Sequence, residues 1–324
     1  MRRWNQWTTA DERLREEHQA RDERLREEHQ ARDERLREEH QARDERVREE
    51  QRVQPVTTVG FVGAGRMGAP MVTRLVEAGH DVAVLGRSSD KRSAAEQLGA
   101  RPVAEVSAVA DGADVVVVCV FTDDQVRQVC LDDGLLDAMS PGSTLVVHTT
   151  GSPRTVELLA QRAPGIAVVD APVSGGPHDI AAGQITLFVG GPESVFERIR
   201  PVLACYGDPI LHTGGLGSGQ WVKLLNNTLL TAQLGLLREA AAFGARVGVD
   251  EAGLIAAVRR GSGASRAADL IGTRGPGSVQ QFVESIGEFL GKDVAVIRAV
   301  AEETGNDLGV LDTLIDRALP TPAT

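Results

Sequence analysis

The stretch Thr58-Val59-Gly60-Phe61-Val62-Gly63-Ala64-Gly65-Arg66-Met67-Gly68 decides how the rest of this chain is read. Thr58 to Val62 has the β-branched and aromatic content of a short buried strand, and a glycine-rich turn follows at once. Residues 70–77 carry a helical apolar pattern, Gly79 stops it, and Asp81-Val82-Ala83-Val84-Leu85 reads as a second strand. The glycines therefore stand at GxGxxG spacing inside a strand–turn–helix–strand unit of about 30 residues. In that setting Gly63 makes the tight turn, Gly65 lets a ligand approach the backbone, and Gly68 allows close helix–strand packing. The free N–H groups at the helix start then face a pyrophosphate, so Gly63, Ala64, Gly65, Arg66, Met67 and Gly68 are read as a dinucleotide cradle.

The end of the second strand separates the two nicotinamide dinucleotides. A ribose 2′-hydroxyl calls for a carboxylate about 20 residues past the glycines, whereas a 2′-phosphate calls for Arg. The sequence there is Gly86-Arg87-Ser88-Ser89-Asp90-Lys91-Arg92. Arg87, Ser88 and Lys91 favour NADP(H). Asp90 could still meet a 2′-hydroxyl, which keeps NAD as the second option, and Lys91 and Arg92 could simply begin a surface helix.

Strands and helices keep alternating beyond this point. Strands are expected over 114–121, 143–148, 168–171 and 185–189, and helices over 123–129, 153–161 and 193–203. The result is an α/β region, a doubly wound Rossmann-type sheet spanning residues 56–218. Residues 219–324 read as an all-α region, broken at Gly248, Gly261-Ser262-Gly263 and Gly275-Pro276-Gly277. Within it, Phe289-Leu290-Gly291-Lys292-Asp293 is read as the start of a helix over 294–303, with Asp293 as its cap.

Two further stretches carry chemistry. Asp170-Ala171-Pro172-Val173-Ser174-Gly175-Gly176 sets a serine and two flexible glycines just past a strand, where hydroxyl and N–H groups can receive a substrate carboxylate. Gln220-Trp221-Val222-Lys223-Leu224-Leu225-Asn226-Asn227 leads into a long Ala- and Leu-rich helix reaching residue 247. Lys223 and Asn227 are four residues apart and share a helical face. A buried lysine can give a proton to a carbonyl as hydride arrives, or remove one from the alcohol, which arginine cannot do.

Composition narrows the field. The chain has 324 residues, 42% hydrophobic, and a net charge of −11, which argues against nucleic-acid or anionic-membrane partners. The longest apolar run, residues 115–121, is far short of the roughly 20 residues a membrane span needs, and no apolar stretch follows Met1-Arg2-Arg3 as in a secretory signal. Three cysteines without a CxxC pair fit a reduced, cytoplasmic protein. Of 35 basic residues only Lys91, Lys223 and Lys292 are lysines. Where charge alone suffices this chain uses Arg, which adds weight to each surviving Lys.

Residues 1–55 differ from the rest, with 14 Arg and 16 acidic residues in a tandem 11-residue repeat starting at Asp11. Each copy has one Leu and one Ala about 120° apart on a helix, so no apolar stripe forms. The expectation is a charged arm, either a solvated single helix or disordered, whose near-identical copies suggest recent duplication and a natural start near residues 53–57.

GxGxMG, then DAPVSGG, then KLLNN, then Gly291-Lys292-Asp293, in that order over residues 57–318, resembles the β-hydroxyacid dehydrogenase family, which includes 3-hydroxyisobutyrate dehydrogenase and glyoxylate/succinic semialdehyde reductase. The resemblance implies a Rossmann domain, a long interdomain helix and an all-α domain that completes the cleft and forms a homodimer or higher homo-oligomer. It also implies Lys223 as proton donor and acceptor, with Asn227, Ser174, Gly175 and Gly176 holding a small acid or carbonyl substrate. Lys292 would reach both substrate and cofactor from the second domain, and Thr149-Thr150 would lie beside the nicotinamide. Two departures stand out. His148 replaces the family's usual Asp, and is read as a strand-end histidine satisfied by backbone; Pro177-His178-Asp179-Ile180 replaces the usual Gly-Ala pattern after the glycines. His178 and Asp179 have no third ligand in view, so no metal is expected. The reaction implied is metal-independent hydride transfer between NADP(H) and a small β-hydroxyacid or aldehyde-acid. An imine reductase of the same architecture, or a non-catalytic nucleotide-binding scaffold, are the alternatives, and Lys223 with Asn227 counts against both. The larger 6-phosphogluconate dehydrogenases need a longer helical domain than this chain has.

Overall fold

The computed structural model describes residues 56–274 and 278–319; the repeat arm and the break at residues 275–277 lie outside the described residues. Among the described residues nine strands form one sheet: β1 (Thr58–Val62), β2 (Asp81–Leu85), β3 (Arg101–Val103), β4 (Val115–Val118), β5 (Thr144–Val147), β6 (Ala167–Asp170), β7 (Val173–Ser174), β8 (Ile185–Gly190) and β9 (Gly207–Gly214). Their order is β3-β2-β1-β4-β5-β6-β8-β7, with β9 also paired to β8. β1 lies between β2 and β4 in parallel register, Val59 opposite Val82 on one side and Val115 on the other. The chain thus reverses direction across the sheet at β1, and the crevice beyond its carboxyl end is where such folds bind ligands.

Valine-rich strands suit this position because both faces are covered. Along β4, Val115 and Val117 pack in one core with Phe61, Met71 and Leu75, while Val116 and Val118 pack in the other with Leu145 and Leu159. Helices Gly68–Glu77 and Glu193–Ala204 cover the first face, and Pro153–Arg162 covers the second. The strand expected over 114–121 ends at Val118. There the Thr149 hydroxyl takes over, accepting from Val120 N–H at 2.9 Å and donating to Val120 O at 3.0 Å. The helix expected over 123–129 closes at Arg127 and widens into a looser turn over Gln128–Asp132.

β8 runs antiparallel to β6 and β7. Residues 175–184 between β7 and β8 hold only one short helix, Pro177–Ala181, too little chain for the crossover a parallel pair requires.

The remaining described residues are helical: Ser218–Arg246, Glu251–Val258, Arg266–Arg274, Val279–Glu303 and Val310–Ala318. Leu234, Leu237, Ile271, Phe282, Leu290 and Ala318 form their core. The last helix lies so close to the long one that a Cβ on Gly235 would fall 2.1 Å from Leu314 O. One expectation is corrected here. Helix Val279–Glu303 runs unbroken through Gly287 and Gly291, so Asp293 lies in its interior and is not a cap. Each interior glycine costs about 1 kcal/mol relative to alanine. Burial of Phe282, Val283, Leu290, Val294 and Ile297 along one face offsets that cost. Among the described residues no helix is long and apolar enough to cross a membrane.

Candidate active site

The glycine turn after β1 separates packing requirements from ligand requirements. Gly63 has φ +99°, and a Cβ there would lie 2.2 Å from Cys119 O. A Cβ on Gly68 would lie 2.2 Å from Gly63 O and 2.8 Å from the Phe61 ring. The protein itself therefore demands glycine at both. Gly65 is different: its φ is not left-handed and a Cβ would meet nothing within 4 Å. That open space, at the start of helix Gly68–Glu77 whose N-cap Met67 makes no side-chain cap bond, fits a cofactor phosphate. Ala64 and Met67 pack against the core beneath. Arg66 is exposed, its guanidinium 5.0 Å above the Phe289 ring of helix Val279–Glu303.

At the end of β2, Ser88 caps helix Ser89–Gln97, its hydroxyl accepting from Lys91 N–H at 3.3 Å. Lys91 does begin a helix, with its side chain exposed. Arg92 is tied back to Gly86 O at 3.0 Å. Arg87 pairs with Asp133, a carboxylate that the linear order hid because it lies 46 residues away.

Lys223, Asn227, Lys292 and Thr150 come together around a residue that sequence reasoning had given a capping role. Lys223 Nζ donates to Asn227 Oδ1 at 3.1 Å, and Asn227 Nδ2 donates to Asp293 Oδ2 at 2.5 Å. Lys292 Nζ lies 2.7 Å from Asp293 Oδ1 and donates to Thr150 O at 3.1 Å. An ammonium can only donate and a carboxylate can only accept, so this chain fixes which way the Asn227 amide points. Burial pulls the Lys223 ammonium down to about 8, Asp293 acting against that shift and Lys292 adding to it. The Lys292 ammonium also sits 5.8 Å from the Phe121 ring, which meets Phe289 edge-on at 5.7 Å. The signal for Asp293 was the Lys-Asp dipeptide; its burial was visible only after folding.

Two buried polar groups hold the helix that carries Lys223. Asp170, at the end of β6, accepts from Gly217 N–H and Gln220 N–H, each at 2.7 Å, and thereby caps helix Ser218–Arg246. Burial raises its carboxyl to about 6 against those N–H bonds. Gln220 clamps the loop after β5, donating to Thr149 O at 2.8 Å and accepting from Gly151 N–H at 3.0 Å. Nothing in the linear sequence marked Gln220, because its role depends on burial.

His148 is buried, its Nδ1 2.5 Å from Ala171 O and its Nε2 2.9 Å from the Tyr206 hydroxyl. The carbonyl can only accept, so Nδ1 carries the proton and Nε2 accepts from Tyr206. Burial lowers the imidazole to about 4, leaving it neutral. Backbone therefore satisfies one ring nitrogen of His148, as expected, and the Tyr206 side chain the other.

The loop Ser174–Gly176 makes no hydrogen bond to the Lys223–Lys292 group. Ser174 pairs with Thr186 in the sheet, and Gly175 has φ +134°. The Gly176 N–H is already used, donating to Asp179 Oδ2 at 2.7 Å. His178 Nε2 lies 2.9 Å from Asp179 Oδ1, so this departure from the family pattern forms a pair at the loop.

Residues 58–214 match the family model of the NAD binding domain of 6-phosphogluconate dehydrogenase. Residues 217–314 match the NAD-binding domain of NADP-dependent 3-hydroxyisobutyrate dehydrogenase. The 3-hydroxyisobutyrate dehydrogenase of Pseudomonas aeruginosa is 34% identical over 268 residues, covering 79% of this chain and 90% of that one. The chain belongs to the β-hydroxyacid dehydrogenase family. A second member, the 2-hydroxy-3-oxopropionate reductase of Escherichia coli, is 32% identical over 67% of this chain and 75% of its own. The solved structure of the Mycobacterium tuberculosis 3-hydroxyisobutyrate dehydrogenase with L-serine superposes with a TM-score of 0.72 at 29% identity, covering 81% of this chain and 92% of that one. This protein is an NAD(P)-dependent hydroxyacid dehydrogenase or reductase, with a Rossmann-like sheet followed by a helical region.

Proposed function

We propose that this dehydrogenase interconverts a small β-hydroxyacid and the matching aldehyde-acid, using NADP(H) and no metal, with Lys223 moving the proton. Bound nicotinamide supplies or accepts the hydride. Lys223 protonates the carbonyl oxygen in reduction and takes the hydroxyl proton in oxidation; with its pKa pulled to about 8, both protonation states are populated near neutrality. Asn227 holds the lysine and presents the same face to the substrate oxygen. Ser174, Gly175, Gly176 and the Lys292 ammonium are the groups read as receiving the carboxylate, the Gly176 N–H exchanging its bond to Asp179 Oδ2 to do so. Thr149 and Thr150 form the loop beside the nicotinamide, held by Gln220 and Lys292. The three substances in the relatives' names, 3-hydroxyisobutyrate, 2-hydroxy-3-oxopropionate and L-serine, each carry oxygen on the carbon β to a carboxylate, which supports this substrate class.

The observation that carries the proposal is the Lys223–Asn227–Asp293 chain, buried at Asn227 and Asp293. A Lys223→Ala protein is expected to bind NADPH normally and to lose about a hundredfold or more in turnover. Lys223→Arg should be equally poor, because guanidinium does not release a proton near neutral pH. Near-full turnover in either variant would remove Lys223 from the chemistry. A panel of β-hydroxyacids, assayed with NADP⁺ and NAD⁺ side by side by absorbance of the reduced cofactor, tests substrate class and cofactor together. Arg87, Ser88 and Lys91 support NADP(H), with NAD(H) as the second cofactor.

A second copy of the chain is the proposed partner. Leu225, Leu229, Leu236 and Phe243 are between 46% and 58% exposed and fall within about 40° on helix Ser218–Arg246, an apolar stripe about 27 Å long. Light scattering should show a homodimer or larger homo-oligomer that Leu229→Glu with Leu236→Glu dissociates. The free thiols Cys119, Cys130 and Cys205 support a reducing, cytoplasmic setting.

A further inference from the structure

Arg87 is the first side chain past the end of β2, since Gly86 offers none and a Cβ there would fall 2.7 Å from the Arg92 backbone nitrogen. β2 and β4 flank β1 on opposite sides. The helical segment after β4 ends in the turn that carries Asp133, whose N–H is fixed to Gln128 O at 2.7 Å. The Arg87–Asp133 ion pair therefore joins the outflow of the two strands that border the glycine turn. The other cationic groups nearby are differently committed: the Arg92 guanidinium donates to Gly86 O, and Lys91 is exposed on helix Ser89–Gln97.

We propose that Asp133 sets the balance between NADP(H) and NAD(H) by competing with the ribose 2′-phosphate for the Arg87 guanidinium. The inference rests on the reading that Arg87 meets that phosphate. A phosphate that takes Arg87 leaves Asp133 without its counter-ion and beside a new anion, a penalty that NAD(H), lacking the phosphate, does not incur. Arg87 is 54% exposed and Asp133 26%, so the pair is solvent-screened and weak enough to exchange. Asp133 is thus a selectivity residue that holds down NADP(H) preference without touching the chemistry.

The test is calorimetric binding of adenosine 2′,5′-bisphosphate and adenosine 5′-monophosphate to the full chain, since these ligands differ only in the 2′-phosphate. Asp133→Asn is expected to tighten the bisphosphate by about twofold to fivefold and to leave the monophosphate unchanged. Arg87→Ala should weaken the bisphosphate alone, and Asp133→Asn should add nothing in the Arg87→Ala background. An unchanged or weaker bisphosphate in Asp133→Asn, equal shifts for both ligands, or a gain that survives loss of Arg87 would each overturn the proposal. If Arg87→Ala itself leaves the bisphosphate untouched, the NADP(H) reading fails along with it. If Arg87→Ala weakens the bisphosphate and Asp133→Asn does nothing, the cofactor reading stands and the Asp133 proposal alone falls.

Discussion

Asn227 donates its amide Nδ2 to Asp293 Oδ2 at 2.5 Å, joining the long helix Ser218–Arg246 to helix Val279–Glu303 in a buried contact. Its other end accepts from Lys223, so the lysine feels a carboxylate it does not touch.

That relay sets the sign of the pH dependence. With Lys223 as the proposed proton donor, reduction of the carbonyl should slow as pH rises through about 8, and oxidation should rise through the same point. Asp293 raises the lysine and Lys292 lowers it. Asp293→Asn should therefore move the midpoint down, and Lys292→Gln should move it up. Rate profiles under saturating substrate read both shifts, and movement in the same direction would break the account.

Gly65 and Gly68 should fail in different ways. Gly68→Ala forces a Cβ against Gly63 O and the Phe61 ring and should destabilise the apo-protein by about 1–3 kcal/mol. Gly65→Ala meets no protein atom, so apo stability should change by less than about 0.5 kcal/mol. The cofactor-induced rise in melting temperature should nevertheless disappear in Gly65→Ala, because the ligand's space is filled. Thermal unfolding with and without NADPH separates the two.

Gln220→Ala orphans Thr149 O and Gly151 N–H at a buried site. Each lost partner costs about 1–3 kcal/mol, so denaturant unfolding should show a loss of about 2–6 kcal/mol. Cofactor affinity should fall too if the loop that carries Thr149 and Gly151 lies beside the nicotinamide as proposed.

His148 makes the fold acid-sensitive. Its folded pKa, about 4, lies below the ordinary 6.5, so the unfolded chain binds the extra proton first. The stability tied to neutral His148 is complete above pH 6.5 and is lost as pH falls towards 4, about 3 kcal/mol in all. Asp170 works in the opposite sense: raised to about 6, it contributes most below pH 3.8 and loses that contribution as pH rises through 6. Comparing His148→Asn with the parent isolates the first effect. The variant should be less stable at pH 7, and the gap should narrow by pH 5; a gap that widens would contradict a neutral His148.

The alternation of strands and helices, the glycine turn and the Lys223–Asn227 pair could all be read along the chain, because each depends on neighbours within a few residues. Helix period places positions 223 and 227 on one face whatever surrounds them. Valines at successive positions of β4 announce a strand covered on both sides. Local pattern also misled: Asp293 looked like the cap of a helix starting after it, yet core burial carried helix Val279–Glu303 straight through it.

Other features were decided only by the tertiary structure. Asp293 became the carboxylate behind Lys223, Gln220 the clamp on the loop after β5, and Asp133 the counter-ion of Arg87. Each spans 46 or more residues of sequence, and each draws its effect from position relative to water and opposing charge. Desolvation and Coulomb interaction act through space, so the order of residues singled out Lys223 as the candidate proton carrier, while burial and the packing of two distant helices lower its pKa.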